Sequence, residues 1–339
     1  MRPDRLVHLL AWDGRAGGAL RSLVESACAV QGRGVDVTAL LVGRDGAAAR
    51  EASARLTDSG VTVRLLRPGL AGVPAVVREL RRTSGAPIVT HSERALLLAR
   101  LAAPRARHVH VFHGFVGGSS RTRIREAVAR RIAAFTGRAV AVDASLARRV
   151  PFAHLVPNCV DPAPIRAAAG APGRLGDRPR IVFVGRLSEE KGAGALPAIA
   201  ERIEALEPSA RLVVAGPGAA PAFTTGNVDL LGEVPEAPPV IAGADVIILP
   251  SRTEAMPMVS LEAAALGTPV VAYPVGGLPD SGLAEIVAMG DVEALTAAAL
   301  RLARPGPERA AAVEASRTAL ATRFSPGAHA EALFAVLSK

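Results

Sequence analysis

The sequence has little lysine, few aromatic residues and almost no cysteine, and each shortage argues against a class of function. Lysine occurs only at Lys191 and Lys339, so the other 38 of the 40 Lys and Arg residues are Arg. Aromatic residues make up 3% of the 339 residues, too few for the base-stacking platforms of many nucleic-acid-binding proteins. The two cysteines, Cys28 and Cys159, match no metal-ligand or disulfide spacing, which favours a reducing compartment. We therefore expect a cytoplasmic protein that binds no nucleic acid.

Long apolar runs are also missing. One of the two longest uncharged stretches, residues 263–279, is interrupted by glycines and prolines and predicts no spanning helix. The first apolar run, residues 6–12, leads into Asp13 without a cleavage pattern, which argues against a secretory signal. Any membrane contact is expected to be peripheral, at the inner membrane face.

The net charge of +9 has two readings. Arg is abundant together with Ala, Gly and Pro, so the charge can reflect a compositional bias of the whole sequence. The alternative is attraction to an anionic partner, either a phosphorylated ligand or a lipid headgroup surface. Composition alone leaves both readings open.

Length and pattern predict two α/β domains. The chain is longer than one core usually supports, and apolar segments alternate with segments of helical length, which is typical of parallel sheets. A proline- and glycine-rich segment, 161–180, is predicted to be the hinge, and 325–339 a closing helix. The predicted strands are 6–11, 35–42, 61–66, 87–90, 108–112 and 139–143 in the first half, and 181–184, 211–215, 228–231, 245–249 and 269–272 in the second.

Gly17 and Gly18 follow the first predicted strand, and a helix is predicted to start at Gly18. A glycine-rich turn before a helix leaves backbone N–H groups open to an anionic group. The alternative reading is a tight turn with no ligand.

Arg186 and Lys191 follow the first strand of the second half, with Lys191 predicted at the start of a helix. An Arg fork and a compact ammonium suit a diphosphate. The alternative is a solvated lysine paired with Glu189 or Glu190.

Glu254 and Glu262 flank the start of a predicted helix near Pro257, after the strand 245–249. Ligands of open α/β sheets bind at the carboxyl ends of the strands, and carboxylates there accept hydrogen bonds from the hydroxyls of sugars and ribose. The alternative is a capping Glu and a surface Glu.

Taken together, these segments resemble a family-4 retaining glycosyltransferase of the GT-B fold. The resemblance extends over nearly the whole chain and includes the glycine turn, 156–161, 185–192, 216–218 and the two glutamates. It implies two Rossmann-like domains that face a central cleft, with residues 1–160 binding the acceptor and 161–324 binding the nucleotide sugar. A C-terminal helix, 325–339, would cross back to the first domain.

The resemblance also implies residue roles. His113, Arg186, Lys191 and Glu254 would be catalytic, with His113 beside the donor sugar. The implied donor-binding residues are Gly17, Gly18, Arg186, Lys191, Glu254, Met256, Pro257, Met258 and Glu262. The reaction would move a hexosyl or N-acetylhexosaminyl group from a nucleotide-diphosphate sugar, with UDP as the expected carrier, to an acceptor hydroxyl with retention.

Protein cations are expected to stabilise the negative charge that develops in this reaction. The sequence contains no Asp-x-Asp triplet, so we expect no cofactor and no metal, with Arg186, Lys191 and a helix N-terminus stabilising the departing diphosphate. An inverting route would need a general base, and His113 is the candidate. The sequence departs from the family pattern at Ala255, at Cys159 and in a short segment after Asp280. The short segment would affect donor closure and turnover.

Three other functions are weighed against transfer. A nucleotide-sugar epimerase would share the fold but need further acid/base residues, a non-catalytic sugar-nucleotide-binding protein would bind without turnover, and a basic nucleic-acid binder would show strong salt dependence. The acceptor stays open among a small glycoside, a natural-product scaffold and a lipid-linked sugar.

One predicted helix, 121–134, has features of a membrane contact. Its apolar residues Ile124, Val128 and Ile132 recur at four-residue steps, so it either lies on an anionic membrane or packs on the sheet as an ordinary amphipathic helix. The arginines around this face are Arg121, Arg123, Arg125, Arg130 and Arg131.

Overall fold

The computed structural model describes residues 2–12, 17–114, 120–136, 138–170 and 179–339. These residues form two compact units. The first unit comprises Met1–Cys159 together with Ser325–Lys339, and the second comprises Val160–Phe324.

The first unit is built on a seven-stranded parallel sheet with strand order β3-β2-β1-β4-β5-β6-β7. Its strands are β1 Arg5–Ala11, β2 Asp36–Val42, β3 Thr62–Leu66, β4 Ile88–Thr90, β5 His108–Phe112, β6 Ala139–Ala141 and β7 Ala153–Leu155. The helices between them are α1 Gly18–Gln31, α2 Ala47–Asp58, α3 Val73–Arg82, α4 Glu93–Ala102, α5 Ser120–Thr136 and α6 Ala144–Arg149. β1 and β2 are buried over six consecutive residues each, as expected for parallel strands covered on both faces.

The second unit has a six-stranded parallel sheet with strand order β10-β9-β8-β11-β12-β13. Its strands are β8 Arg180–Val184, β9 Arg211–Ala215, β10 Val228–Gly232, β11 Val246–Leu249, β12 Val270–Ala272 and β13 Glu285–Ile286. Its helices are α7 Pro162–Ala169, α8 Leu196–Leu206, α9 Pro238–Ala242, α10 Met258–Leu266, α11 Val292–Ala303 and α12 Pro307–Arg323. Alternate residues of β8 enter different apolar cores, Ile181 and Phe183 in one, Val182 and Val184 in the other.

The last helix, α13 Pro326–Leu337, lies in the first unit. Ser325 caps it by accepting a hydrogen bond from the Ala328 N–H at 3.3 Å, and Pro326 occupies its first turn, where no N–H is needed. The predicted helix at this position is therefore confirmed. His329 lies within 2.7 Å of Ser26 in α1, which connects the two helices.

The sequence predicts the strands of both sheets except β7 and β13, which have three and two residues. The prediction of a turn-rich hinge over 161–180 is wrong for its first half. Residues 162–169 form α7, because Asp161 caps the first turn by accepting from the Ala163 N–H at 3.0 Å and Pro162 suits that turn. Residues 171–178 of that segment lie outside the described residues.

Among the described residues, no helix is long and apolar enough to cross a bilayer.

Candidate functional site

The chain segments that follow β8 and β11 meet in the second unit, because these two strands are neighbours in the sheet. The backbone N–H groups of Arg252 and Thr253 donate to the Glu190 carbonyl at 2.9 and 3.3 Å. Gly192 has φ +74°, and a Cβ there would lie 1.8 Å from the Pro250 carbonyl oxygen. Only glycine permits this approach, and it places Lys191 against the loop after β11.

Lys191 forms an ion pair with Glu254 through its Nζ and the carboxylate Oε1. Ser251 Oγ donates to the same carboxylate oxygen at 3.2 Å. The Lys191 and Glu254 side chains are 27% and 12% exposed, so a cation and a carboxylate are held together at the carboxyl ends of two strands. Two of the predicted site residues are thus in direct contact.

The alternative pairing of Lys191 with Glu189 or Glu190 is not what the structure shows. Glu189 pairs with Arg252 at 3.5 Å, and Glu190 pairs with Arg186 at 3.6 Å. Arg186 is largely exposed, and a surface pair of this kind contributes about 0–1 kcal/mol. Arg186 is therefore held only weakly by Glu190 and can exchange that partner for a ligand anion.

Two glycines support the segment that carries Arg186. Gly216 has φ +139°, and a Cβ there would lie 1.9 Å from the Gly185 carbonyl oxygen. The Leu187 N–H donates to the Pro217 carbonyl at 2.8 Å, and a Cβ on Gly218 would lie 2.9 Å from Leu187. The 216–218 segment therefore fixes the backbone on both sides of Arg186.

Helix α10 begins at Met258, near Pro257 as predicted, with Pro257 as its N-cap. Within the described chain no side chain caps this end, so first-turn N–H groups remain available to a ligand. Met256 and Met258 are buried beside it. Glu262, one turn farther along α10, is fully buried, which excludes the alternative of a surface glutamate.

The loop 276–277 closes over the backbone of Glu254. Gly276 has φ +58°, and a Cβ there would lie 1.8 Å from the Ala255 carbonyl oxygen and 2.7 Å from that of Glu254. The Gly277 N–H donates to the Ala255 carbonyl at 2.8 Å. Ala255, which departs from the family pattern, therefore supplies the carbonyl that holds this loop.

Lys191 does not begin a helix, contrary to the prediction. It lies in a turn that leads through the 3₁₀ segment Ala193–Ala195 to α8, which starts at Leu196. The left-handed backbone of Gly192 interrupts helical geometry after Lys191.

The predicted glycine turn lies in the first unit, and α1 begins at Gly18 as predicted. Gly17 has an extended backbone, and no described atom lies within 4 Å of a Cβ placed on Gly17 or Gly18. Neither residue is needed for a left-handed turn or for close packing among the described residues. The turn before them, residues 13–16, lies outside the described residues, so phosphate binding and a simple tight turn both stay open.

His113 follows β5 in the first unit and is partly exposed. Its Nε2 lies 3.1 Å from His91 Nδ1, and His91 Nε2 lies 2.9 Å from His8 Nδ1. Burial, together with nearby His329, lowers the pKa of His113 to about 4. Sequence reasoning missed His8, which lies within β1, and His91, which follows β4.

Helix α5 does not pack as an ordinary amphipathic helix would. Ile124 and Val128 are 62% and 40% exposed, whereas Ala129 and Ala133 are buried. The prediction that the four-residue apolar face packs on the sheet is therefore wrong for Ile124 and Val128. The side chains of the arginines at 121, 123 and 125 lie outside the described part, while Arg130 and Arg131 are exposed.

Within the described ranges, no group of three or more His, Cys, Asp or Glu side chains could hold a metal ion.

Two family models match the chain. The model described as Glycosyltransferase Family 4 matches residues 16–163, and the model described as Glycosyl transferases group 1 matches residues 178–304. Together they include Gly17, Gly18 and His113 in the first unit and Arg186, Lys191, Glu254 and Glu262 in the second.

Two curated relatives resemble parts of the chain. The 2-deoxystreptamine glucosyltransferase of Streptomyces kanamyceticus is 36% identical over 165 residues, which is 43% of this chain and 42% of that protein. The D-inositol 3-phosphate glycosyltransferase of Mycolicibacterium paratuberculosis is 34% identical over 194 residues, 51% of this chain and 43% of that protein. The chain thus spans less than half the length of these relatives.

Solved structures match over nearly the whole length. The crystal structure of Anabaena Alr3699/HepE in complex with UDP covers 98% of this chain and 99% of its own, with a TM-score of 0.74 and 18% identity. That of TarM covers 99% of each chain, with a TM-score of 0.78 and 10% identity. At these identities the likeness concerns the fold, and it confirms the predicted GT-B class.

Proposed function

We propose that this chain, which belongs to the glycosyl transferases group 1 and glycosyltransferase family 4, transfers a sugar from UDP to an acceptor hydroxyl. The group transferred is a hexosyl or N-acetylhexosaminyl residue, the anomeric configuration is retained, and no metal takes part. The observation that carries the proposal is the Lys191–Glu254 pair at the carboxyl ends of β8 and β11. The UDP complex of the structural relative HepE supports the choice of donor.

In this proposal Arg186 and Lys191 bind the diphosphate of the donor. Cleavage of the anomeric bond moves negative charge onto the departing diphosphate, so cations that contact it stabilise the transition state more than the ground state. Lys191 would exchange part of its contact with Glu254 for a phosphate oxygen. Arg186 would leave Glu190, at little cost because that pair is exposed.

The sugar and the ribose are assigned to carboxylates and to the start of α10. Glu254 would accept hydrogen bonds from sugar hydroxyls, beside Met256 and Met258 and the uncapped backbone after Pro257. Glu262 is proposed for the ribose hydroxyls. Because its side chain is fully buried, donor binding has to uncover it.

The first unit would supply the acceptor and the remaining donor contacts. We assign acceptor binding to residues 1–160, donor binding to 161–324, and completion of the first unit to 325–339. Gly17 and Gly18 would admit the donor phosphates to the start of α1, and His113 would contact the transferred sugar. Two relatives are named for cyclitol acceptors, 2-deoxystreptamine and inositol 3-phosphate, so a small cyclitol is the first acceptor to test.

We further propose a cytoplasmic location with peripheral contact at the inner membrane face. The exposed Ile124 and Val128 on α5, near the exposed Arg130 and Arg131, support this contact, because apolar and basic side chains on one helix favour an anionic surface. A lipid-linked sugar is the acceptor that such a location would provide.

The donor site is tested by calorimetric titration with UDP and with a panel of UDP-sugars. Lys191→Ala should weaken UDP binding by about 10- to 100-fold, as expected for loss of a charged hydrogen bond of about 1.5–3 kcal/mol. Arg252→Ala is the matched control, because Arg252 is an exposed neighbour that pairs with Glu189. Equal effects of the two substitutions would refute a specific role for Lys191.

Glu254→Gln distinguishes binding of the diphosphate from binding of the sugar. Removing the carboxylate frees Lys191 for phosphate, so UDP should bind as tightly or more tightly, whereas the preferred UDP-sugar should lose its advantage over UDP. If UDP and the UDP-sugar change by the same factor, Glu254 does not contact the sugar.

Product analysis separates the proposed function from its alternatives. NMR of the product should show a glycoside with the anomeric configuration of the donor, and an inverted linkage would refute retention. A changed sugar nucleotide formed without acceptor would instead indicate an epimerase. Binding without transfer or hydrolysis across acceptors would indicate a non-catalytic protein.

A further inference from the structure

Three histidine rings form a continuous chain across three neighbouring strands of the first unit. His8 lies within β1, His91 follows β4, and His113 follows β5. The bonded nitrogens are 2.9 Å apart between His8 and His91 and 3.1 Å apart between His91 and His113. The ring centroids are 5.1 and 5.2 Å apart. We call this set the histidine chain.

The backbone holds the middle ring from both sides. The His91 N–H donates to the Leu9 carbonyl at 2.9 Å. The next residue, Ser92, donates its hydroxyl to the Ala11 carbonyl at 2.9 Å and caps α4 by accepting from the Ala95 N–H at 3.2 Å. His91 is therefore fixed between β1 and α4, and its ring has little freedom to turn away from its two partners.

Each ring of the histidine chain is neutral near pH 7. Burial, with a smaller effect of His329, lowers the pKa of His8 to about 3 and that of His113 to about 4. Burial and the neighbouring histidines lower the pKa of His91 well below its usual value. The other titratable groups that face the chain, His110 and His329, also have lowered pKa values because they are buried.

A chain of neutral imidazoles has only two arrangements of protons, because each ring donates through one nitrogen and accepts through the other. In the first, His8 Nδ1–H donates to His91, His91 Nδ1–H donates to His113 Nε2, and His113 carries its proton on Nδ1. In the second, every bond runs the other way, and His113 Nδ1 is a bare acceptor. The terminal nitrogen, His8 Nε2, decides between them.

His8 Nε2 is buried and has no hydrogen-bond partner among the described residues. In the first arrangement this atom is an unpaired lone pair, whereas in the second it is an unpaired buried N–H. Orphaned N–H donors are rarer in protein interiors than under-satisfied acceptors. The position of His8 therefore favours the first arrangement.

His108, on β5, provides an independent example in the same unit. Its Nε2 lies 2.8 Å from the Ala103 carbonyl oxygen, which only accepts, so Nε2 carries the proton. Its Nδ1 is buried without a partner among the described residues. Where the geometry fixes the tautomer, this protein thus leaves the bare nitrogen unpaired.

We propose that His8 and His91 are positioning residues that fix His113 as the tautomer with its proton on Nδ1. His91 occupies Nε2 of His113, so Nδ1 is the nitrogen left for a ligand, and it can donate a hydrogen bond but cannot take up a proton. The use of this donor on a sugar oxygen rests on the proposed function. In that reaction His113 cannot be the general base of an inverting route.

The tautomer is measured by long-range ¹H–¹⁵N NMR of the full chain with ¹⁵N-labelled histidine at pH 7.5, with no ligand present. His113→Gln identifies the signals of His113. We expect a protonated Nδ1 and an unprotonated Nε2. A protonated Nε2, or a doubly protonated ring, would overturn the proposal.

Two substitutions at His8 test whether that residue sets the direction of the hydrogen bonds along the histidine chain. His8→Asn retains a donor at this place and should leave the His113 tautomer unchanged. Burial raises the pKa of a carboxyl group, so His8→Asp is measured at a pH high enough to ionise it. The ionised carboxylate only accepts, so every bond should reverse and the proton should move to His113 Nε2. A folded His8→Asp protein with the original tautomer would refute the role of His8. If that variant does not fold, His91→Phe tests the same histidine chain, because His113 should then lose its preference for one tautomer.

Activity is a separate readout. With a transferase substrate, His8→Asp should reduce kcat at least tenfold more than His8→Asn does, with a smaller change in KM. The expected NMR result together with an absence of transfer would leave the histidine chain established and refute the proposed function. A reversed tautomer with undiminished kcat would refute the use of the Nδ1 donor in the reaction.

Discussion

Acidification should destabilise the first unit through its buried histidines. Burial lowers the pKa of His8 and of His110 to about 3 in the folded chain, whereas a histidine of the unfolded chain titrates near 6.5. Below that pH the histidines of the unfolded state are protonated, whereas the buried rings of the folded state stay neutral. The stabilising contribution is therefore complete above pH 6.5 and falls as the pH decreases towards 3.

The size of the effect follows from the pH interval. Between pH 6.5 and 5.0 each such ring loses about 1.4 kcal/mol per pH unit, or about 2 kcal/mol. His8 and His110 together account for about 4 kcal/mol by the same relation. A typical domain has a free energy of unfolding of about 5–15 kcal/mol, so a loss of this size is readily measured.

Urea unfolding at pH 7.5 and 5.0, followed by tryptophan fluorescence, measures this loss. Trp12 is the only tryptophan of the sequence and belongs to the first unit, so its signal reports on that unit. His8→Asn should reduce the loss between the two pH values by about 2 kcal/mol, and His154→Asn, outside the buried cluster, should not. A wild-type loss below about 1 kcal/mol, or an equal loss in His8→Asn, would contradict the linkage argument.

Four further results are expected. Gly18→Ala should leave the stability to urea unchanged or higher, because alanine favours helix formation. It should nevertheless weaken UDP binding measured by calorimetry, and unchanged binding would show that Gly18 is not part of the donor site. Gly276→Ala should cost more than the about 1–3 kcal/mol expected for a left-handed non-glycine residue. It should also cost more than Gly290→Ala in urea unfolding followed by far-UV circular dichroism, because only the first Cβ meets a carbonyl oxygen. Equal costs would contradict the steric argument. EDTA should leave the transfer rate unchanged, and restoration of a lost rate by a divalent cation would refute metal independence. Flotation with anionic vesicles should recover the wild-type protein but less of an Ile124→Ser, Val128→Ser variant; equal recovery would exclude this face of α5 as the contact.

Most of the fold could be predicted from the sequence because its strands are buried on both faces. Such strands appear as continuous runs of Val, Ile and Leu bounded by turn residues, as β1 and β2 do. The edge strands β7 and β13 are short and only partly buried, so they have no comparable run. Helix α7 was missed because prolines were read as breakers, although Pro162 occupies a first turn that tolerates proline.

The site could be predicted in part, for a related reason. Sequence order shows that Lys191 and Glu254 each follow a strand, but only the strand order, with β11 beside β8, shows that the two segments meet. The partner of Lys191 was therefore sought among its neighbours in sequence. In the same way His8 and His91 are 83 residues apart in the chain, and no local pattern connects them.

The Lys191–Glu254 pair also explains how two charges are kept ordered at the ends of these strands. Each side chain is mostly enclosed, so either charge alone would carry a desolvation cost, and removing one partner would leave the other uncompensated. Ser251 and the backbone held by Gly192 and Gly276 keep the carboxylate and the ammonium in place. A diphosphate that binds Lys191 then takes the place of the Glu254 carboxylate beside a side chain that is already ordered. The entropy cost of binding is lower for that reason. Gly192 and Gly276 therefore belong to the proposed binding site as much as the two charges do, because they allow the close backbone approaches that bring these segments together.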